Sequence, residues 1–203
     1  MTVAATPVAA DAKPLKLVAF GDSLVAGYGL PAKDSFPVRL EAALKAKGHN
    51  VTVANAGVSG DTTAAGLARF DWAVPDDADG VIVELGANDA LRGISPEQTR
   101  KNLDAILAKL KQRNVPVLVA GMRAPGNWGD AYRQAFDGIY VELAKSYDAI
   151  LYPFFLAGVA LEAKLNQADG MHPNRAGVDV IVERIVPAVE KLIAKAKSRA
   201  TSG

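Results

Sequence analysis

Five short runs rich in β-branched and other apolar residues punctuate the chain, and between them the apolar residues switch to a helical period. The runs are Leu15–Gly21 (LKLVAFG), 51–56 (VTVANA), 80–85 (GVIVEL), 116–121 (PVLVAG) and 149–152 (AILY). Strand, helix, strand, helix in this order predicts a parallel sheet, because parallel neighbours need a crossover and the intervals are helix-sized. The expected fold class is therefore α/β, a three-layer α/β/α sandwich with helices on both faces of a five-stranded parallel sheet. The clearest helix starts at Ser95-Pro96-Glu97-Gln98, which offers a capping serine, a proline in the first turn and a reciprocal Gln at the third position. Leu103, Ile106, Leu107 and Leu110 come next on one face, and Lys109, Lys111 and Arg113 suit its carboxyl end. A second carries Tyr132, Phe136, Ile139, Tyr140, Leu143 and Tyr147 along one stripe, and a third, 36–47, stops at Gly48. The last periodicity, from Val178 to Leu192, contains Pro187, which cannot donate to Glu183, so a kink or break is expected there.

Composition narrows the functional classes. Of 203 residues, half are apolar and 22% charged, with 23 Lys and Arg against 22 Asp and Glu, a balance that suits a folded globular chain. A net charge of +1 gives no basic field for nucleic acid or anionic membranes. With no cysteine, disulfides and thiolate chemistry are excluded. The longest uncharged apolar stretch, 149–161, has 13 residues and contains Pro153, short of the roughly 20 a membrane-spanning helix needs. No internal repeat or second composition regime interrupts 15–192, so residues 15–198 read as one domain. Residues 1–14, rich in Ala, Val and Pro, read as a disordered tail or the remnant of an export signal, with Val8-Ala9-Ala10 offering the small residues a cleavage site uses.

In a parallel α/β sheet the ligand crevice lies beyond the carboxyl ends of the strands, so function is sought in the loop that leaves each strand. After the first strand comes Gly21-Asp22-Ser23-Leu24, and Ser23 is a candidate nucleophile; alone the tripeptide is common turn chemistry. Serine needs a base to take its proton and a group to orient that base. The chain has two histidines. His49 sits in a polar connection at the amino end of the sheet and reads as solvated. His172 lies in Asp169-Gly170-Met171-His172-Pro173, after the fifth strand, with Asp169 three residues before it, a spacing that lets the carboxylate reach Nδ1–H and leave Nε2 to accept a proton. There is no Cys, no second nearby His and no H-E-x-x-H spacing to support a metal site. Oxyanion donors are offered by the loop Asn55-Ala56-Gly57-Val58-Ser59-Gly60-Asp61, where Gly60 has an N–H to give, and by Gly86-Ala87-Asn88-Asp89, where Asn88 brings a side-chain amide. Together these lie after successive strands and form the complement needed for acyl transfer. Gly57-Val58-Ser59-Gly60 fails as a nucleophile elbow because Asp61 stands where glycine is required, and neither a Walker A sequence nor G-x-G-x-x-G is present.

On these residues the chain resembles the SGNH, or GDSL, hydrolase family. Gly-Asp-Ser-Leu continuing into Val-Ala-Gly-Tyr-Gly-Leu, then Asn-Ala-Gly-Val-Ser-Gly-Asp, Gly-Ala-Asn-Asp and Asp-Gly-Met-His-Pro-Asn occur in family order across 15–192. Arg123-Ala124-Pro125-Gly126-Asn127-Trp128-Gly129 and Tyr152-Pro153-Phe154-Phe155 are similar to its bacterial thioesterase, lysophospholipase and arylesterase branch. The resemblance implies a flavodoxin-like strand order 2-1-3-4-5, a triad of Ser23, His172 and Asp169, an oxyanion hole from the Ser23 and Gly60 N–H groups with the Asn88 amide, and export to the periplasm. The expected activity is serine esterase action on aryl and alkyl esters of short to medium acyl chains, extending to thioesters and lysophospholipids, with no cofactor and no metal. The expected partner is a small acyl ester or thioester. Leu91, Trp128 and Phe154 are candidate substrate contacts, Trp128 as a mobile wall, whereas Phe155 and Ile150 read as core. The same triad also serves carbohydrate deacetylases and acyltransferases, and the fold serves non-enzymatic binding modules.

Overall fold

The computed structural model describes residues 13–201; apart from Lys13 and Pro14, the proposed amino-terminal tail lies outside them. Five parallel strands, β1 (Leu15–Gly21), β2 (Val51–Gly57), β3 (Gly80–Glu84), β4 (Val117–Ala120) and β5 (Ile150–Tyr152), form one sheet in the order β2-β1-β3-β4-β5. Between and after them run α1 (Ser23–Ala26), α2 (Phe36–Ala46), α3 (Thr63–Ala73), α4 (Ala87–Leu91), α5 (Pro96–Gln112), α6 (Asp130–Ser146) and α7 (Arg175–Thr201). The expected α/β class, strand number and strand order are all present.

Both faces of the sheet are covered, which is why its strands are nearly continuous apolar runs and not alternating ones. Side chains of opposite parity on β1 point to opposite layers. Leu17 lies beside Gly80 and Leu192 of α7, whereas Phe20 meets Phe70 of α3 edge to face, their centroids 5.7 Å apart. Helix α2 packs with α7, and α3, α5 and α6 pack in a row. The apolar stripe predicted for α5 is buried as expected, at Leu103, Ile106, Leu107 and Leu110.

Three local expectations are corrected. Of the kink or break expected at Pro187, the break is absent, since helix α7 is continuous from Arg175 to Thr201. The neighbouring Val186 and Val189 are buried, and that packing outweighs the lost hydrogen bond. At the start of α5 only half of the capping box forms: Ser95 Oγ accepts from Gln98 N at 3.2 Å, but the Gln98 amide turns to Asn102 Oδ1 at 3.0 Å. His49 is not simply solvated, because Nε2 lies 3.1 Å from Glu190 Oε1 on α7.

The register of β1 positions the loops of the site. Gly21 is level with Gly57 on one side and Glu84 on the other, so β1, β2 and β3 release their loops at one height. The β2 and β1 exits are laced together by Val58 N donating to Gly21 O at 3.0 Å. Gly57 lies directly against α1: a Cβ there would overlap the Ala26 amide nitrogen and come within 2.8 Å of Asp22 O. Because those obstacles are backbone, no rotamer change relieves them. Gly57→Ala is expected to destabilise the protein by about 1–3 kcal/mol and to displace α1, measured as a lower urea midpoint.

Candidate active site

Ser23 is the first residue of α1, and Asp22 caps that helix by accepting Leu24 N on Oδ1 at 3.0 Å. A serine at the first position of a helix keeps its N–H free of intrahelical acceptors. His172 arrives from the long loop after β5. Asp169 Oδ1 accepts both Met171 N at 2.9 Å and His172 N at 3.0 Å, closing a tight turn, and Oδ2 lies 2.6 Å from His172 Nδ1. An ionised carboxylate can only accept, so Nδ1 carries the hydrogen and Nε2 is left as the acceptor, 2.9 Å from Ser23 Oγ. Hydrogen bonds from the His172 and Met171 amides, joined by the imidazole, hold the Asp169 carboxyl down at about 2. The ring of Tyr28 rests against the imidazole, centroids 4.6 Å apart, and Gln167 ties the two segments by donating to Tyr28 O at 2.7 Å and to Pro173 O at 3.0 Å.

The second and third loops meet the first through one side chain. Asn88, in α4, donates from Nδ2 to Asp22 Oδ2 at 3.1 Å and to the Asp61 carbonyl at 2.9 Å, bridging the residues that adjoin Ser23 and Gly60. Gly60 adopts φ +85° in this turn, and its carbonyl accepts from the Arg92 guanidinium at 2.9 Å. The Asp61 side chain is buried against Arg69, whose Nε lies 2.5 Å from Oδ2 and whose Nη2 donates to Gly21 O at 2.8 Å. Arg69 also lies over the Phe20 ring, 4.4 Å from its centroid. Asp61, which disqualifies the loop as a nucleophile elbow, thus anchors it.

The proposed substrate contacts separate into two places. Trp128 donates its indole N–H to Ala90 O at 2.7 Å, and a Cβ on Gly93 would come within 2.8 Å of its ring, so it is fastened to α4 and not a free flap. Leu91, on the same helix, is half exposed. Phe154 is elsewhere: it lies under the Arg123 guanidinium, 4.9 Å from its centroid, in a surface cavity shared with Tyr152, Leu156 and Arg184 that none of Ser23, Asn88 or His172 lines. Phe155 is fully buried against Phe36 as core, and Ile150 is half-buried.

Sequence reasoning did not single out Tyr28, Arg69 or Glu84. Glu84 ends β3 with its side chain fully buried, and Oε2 accepts the Asp22 amide at 3.3 Å. Its only signal was a carboxylate closing the apolar run GVIVEL, and which way it points depends on register. Asp22 is equally buried. Burial pushes its carboxyl up to about 6 despite the Leu24 amide, and burial together with the neighbouring Asp22 charge pushes Glu84 well above the usual carboxylate range.

A flavodoxin-like sheet carrying a serine, an imidazole and a carboxylate in hydrogen-bond sequence, with amide donors on the two adjoining loops, defines the class of α/β serine hydrolases. Residues 19–180 match the model of the GDSL-like Lipase/Acylhydrolase family. The chain belongs to that family. It is 39% identical over 178 residues to the Escherichia coli (strain K12) protein named Thioesterase 1/protease 1/lysophospholipase L1, covering 87% of this chain and 84% of that one. To the Arylesterase of Vibrio mimicus it is 38% identical over 177 residues, 87% and 88% of the two chains. Among solved structures it is similar to AlinE4, described as an SGNH-hydrolase family esterase, with 50% identity, a TM-score of 0.76 and coverage of 90% and 98%.

The Asp169 carboxyl fixes a pH dependence. Its folded pKa of about 2 lies below its ordinary 3.8, so the stability it contributes is present above 3.8 and lost as pH falls toward 2. Wild type is expected to resist urea better than Asp169→Asn at neutral pH, with the gap closing as pH falls from 3.8 toward 2.

Proposed function

We propose that this protein hydrolyses carboxylic esters through an acyl-enzyme on Ser23. The observation that carries the reading is the continuous chain from Ser23 Oγ to His172 Nε2 at 2.9 Å and from Nδ1 to Asp169 Oδ2 at 2.6 Å. As Ser23 Oγ attacks the acyl carbonyl, its proton passes to Nε2, and the Asp169 carboxylate stabilises the imidazolium that forms. Negative charge develops on the carbonyl oxygen; the Ser23 and Gly60 amides are its proposed donors, with the Asn88 side chain sharing a hydrogen it now gives to Asp22 or to the Asp61 carbonyl. The imidazolium then gives its proton to the departing alkoxide or thiolate. Water repeats the attack on the acyl-enzyme, returning its proton through His172 and releasing the acid.

For the substrate, we infer aryl and alkyl esters of short to medium acyl chains, with the acyl or aryl group lying along Leu91 and Trp128 beside Asn88. The names of the similar proteins from E. coli and Vibrio mimicus bring thioesters, lysophospholipids and aryl esters into the same class. All present a carbonyl to one nucleophile and differ in the leaving group.

The test is intact mass after treatment with a serine-directed organophosphonate, mapped to its peptide, beside hydrolysis of p-nitrophenyl acetate, butyrate and decanoate. Labelling at Ser23 with matching loss of turnover supports the reading, and Ser23→Ala should abolish both. Turnover or a phenol burst persisting in Ser23→Ala overturns it. Asn88→Ala is expected to lower kcat by about 10² to 10³ with KM little changed, since an oxyanion donor acts only in the transition state. A loss confined to KM would place Asn88 on the ground-state substrate instead.

A further inference from the structure

Glu84 is fully buried, ionisable and without a part in the hydrolytic steps, yet its Oε2 accepts the amide of Asp22, the residue before Ser23, at 3.3 Å. It is level with Gly21 across the β1–β3 pair, and a Cβ on Gly21 would come within 2.6 Å of Glu84 Oε2. The Asp22 amide that donates to Oε2 sets the two buried carboxyls side by side. Asp22 in turn touches both parts of the site, since Oδ1 accepts the Leu24 amide of the nucleophile helix and Oδ2 accepts the Asn88 amide. We propose that Glu84 is a positioning residue for the ester-hydrolysing site: it donates a carboxyl–carboxyl hydrogen bond that fixes Asp22, and through Asp22 it aims the Asn88 amide. This rests on the reading of Asn88 as an oxyanion donor.

Three observations on the pair lead there. First, no cation among the described residues pairs with it. Arg69, which approaches the Gly21 carbonyl, is paired with Asp61. Two adjacent carboxylates taken out of water without a cation cannot both stay ionised, so the pair keeps a proton. Second, Glu84 Oε1 is buried and none of the described residues offers it a hydrogen bond. An anion would need donors on both oxygens, whereas a carboxyl carrying its own proton does not. Third, Asp22 is the member surrounded by donors, with Leu24 N at 3.0 Å and Asn88 Nδ2 at 3.1 Å. The proton therefore resides on Glu84 and the charge on Asp22. The consequence for catalysis is twofold. Asp22 Oδ2 and the Asp61 carbonyl both accept from Asn88 Nδ2 and set the plane of the amide, which meets an oxyanion by sharing one of those two hydrogens. The shared proton also limits the charge under the hole to one negative unit, where a second would oppose the developing oxyanion.

The test is a double-mutant cycle on p-nitrophenyl butyrate hydrolysis. Glu84→Gln retains a neutral donor and acceptor of the same shape, and kcat is expected to stay within about threefold of wild type. Glu84→Leu removes the donor; kcat is expected to fall by about tenfold to a hundredfold with KM nearly constant, as misplacement of a transition-state donor does. In the Asn88→Ala background the same Glu84→Leu change should alter kcat by less than about twofold. Equal losses in both backgrounds, or a Glu84→Gln loss as large as that of Glu84→Leu, overturn the proposal. An unchanged kcat in Asn88→Ala alone overturns both this inference and the oxyanion assignment; a normal loss there with additive Glu84 effects overturns only this one. If Glu84→Leu does not fold, the infrared difference between wild type and Glu84→Gln at neutral pH decides it. A protonated carboxyl C=O band present only in wild type is expected, and ionised carboxylate bands alone overturn it.

Discussion

The pairing of β1 on both edges is the constraint on which the site depends. Because Gly21 is level with both Gly57 and Glu84, three successive strands deliver their loops to one plane. A slip of one residue on either side would turn Glu84 away from Asp22 and lift the Gly60 turn off the Asn88 helix. Register is strongly specified here because both faces of the sheet are buried, so any slip exchanges residues between the Leu17 and Phe20 layers. The hydrolytic chemistry is thus set by the same apolar patterning that sets the core.

Around that plane the protein buries several carboxyls and compensates each differently. Asp61 is answered by the Arg69 guanidinium. Asp89, fully buried in α4, is held by neutral donors: the Thr63 amide at 2.8 Å and the Thr63 and Thr99 hydroxyls at 2.6 and 3.3 Å. Asp22 has amides and the neighbouring acid. Asp169 alone stays near solvent, where its charge costs little and remains available to the imidazolium. The carboxylate facing the histidine is thereby kept ionised, and the buried ones are neutralised or tied to fixed partners. The electrostatic difference comes from burial, since all are carboxyls.

The parts of this arrangement that the sequence disclosed are those written in local patterns. Alternation of strand-like and helix-like periods yields the parallel sheet, and the rule that loops at the carboxyl edge carry function points to Ser23, Gly60, Asn88 and His172. The Asp169–His172 spacing is a turn, readable over four residues. The features that stayed hidden depend on distances along the chain that no local pattern encodes. Glu84 resembles any polar residue closing an apolar strand until register places it against Asp22, 62 residues away. Phe154 comes just after β5 in sequence, yet the edge position of β5 carries it toward Arg123 and Arg184. Pro187 shows the converse, where a strong local signal yields to the packing of Val186 and Val189.

Helix α4 concentrates these effects in five residues. It is preceded by Gly86, whose φ of +117° and close approach to the Tyr140 hydroxyl leave no room for a side chain. Tyr140 itself donates to Leu85 O at 3.0 Å, so the entry to the helix is pinned from α6. Asn88 then donates to Asp22 beside Ser23, Asp89 anchors the underside to α3 and α5, Ala90 accepts the Trp128 indole, and Leu91 is half exposed. The proposed oxyanion donor and the proposed acyl wall therefore sit on one short rigid unit and cannot move independently. A bulky acyl chain that pushes on Leu91 or Trp128 also pushes on the Asn88 amide, and misaligning a donor by a fraction of an ångström weakens transition-state stabilisation more than binding. On this reading, selectivity for acyl chain length is exerted in kcat, through the helix that carries the wall, more than in the affinity of the pocket.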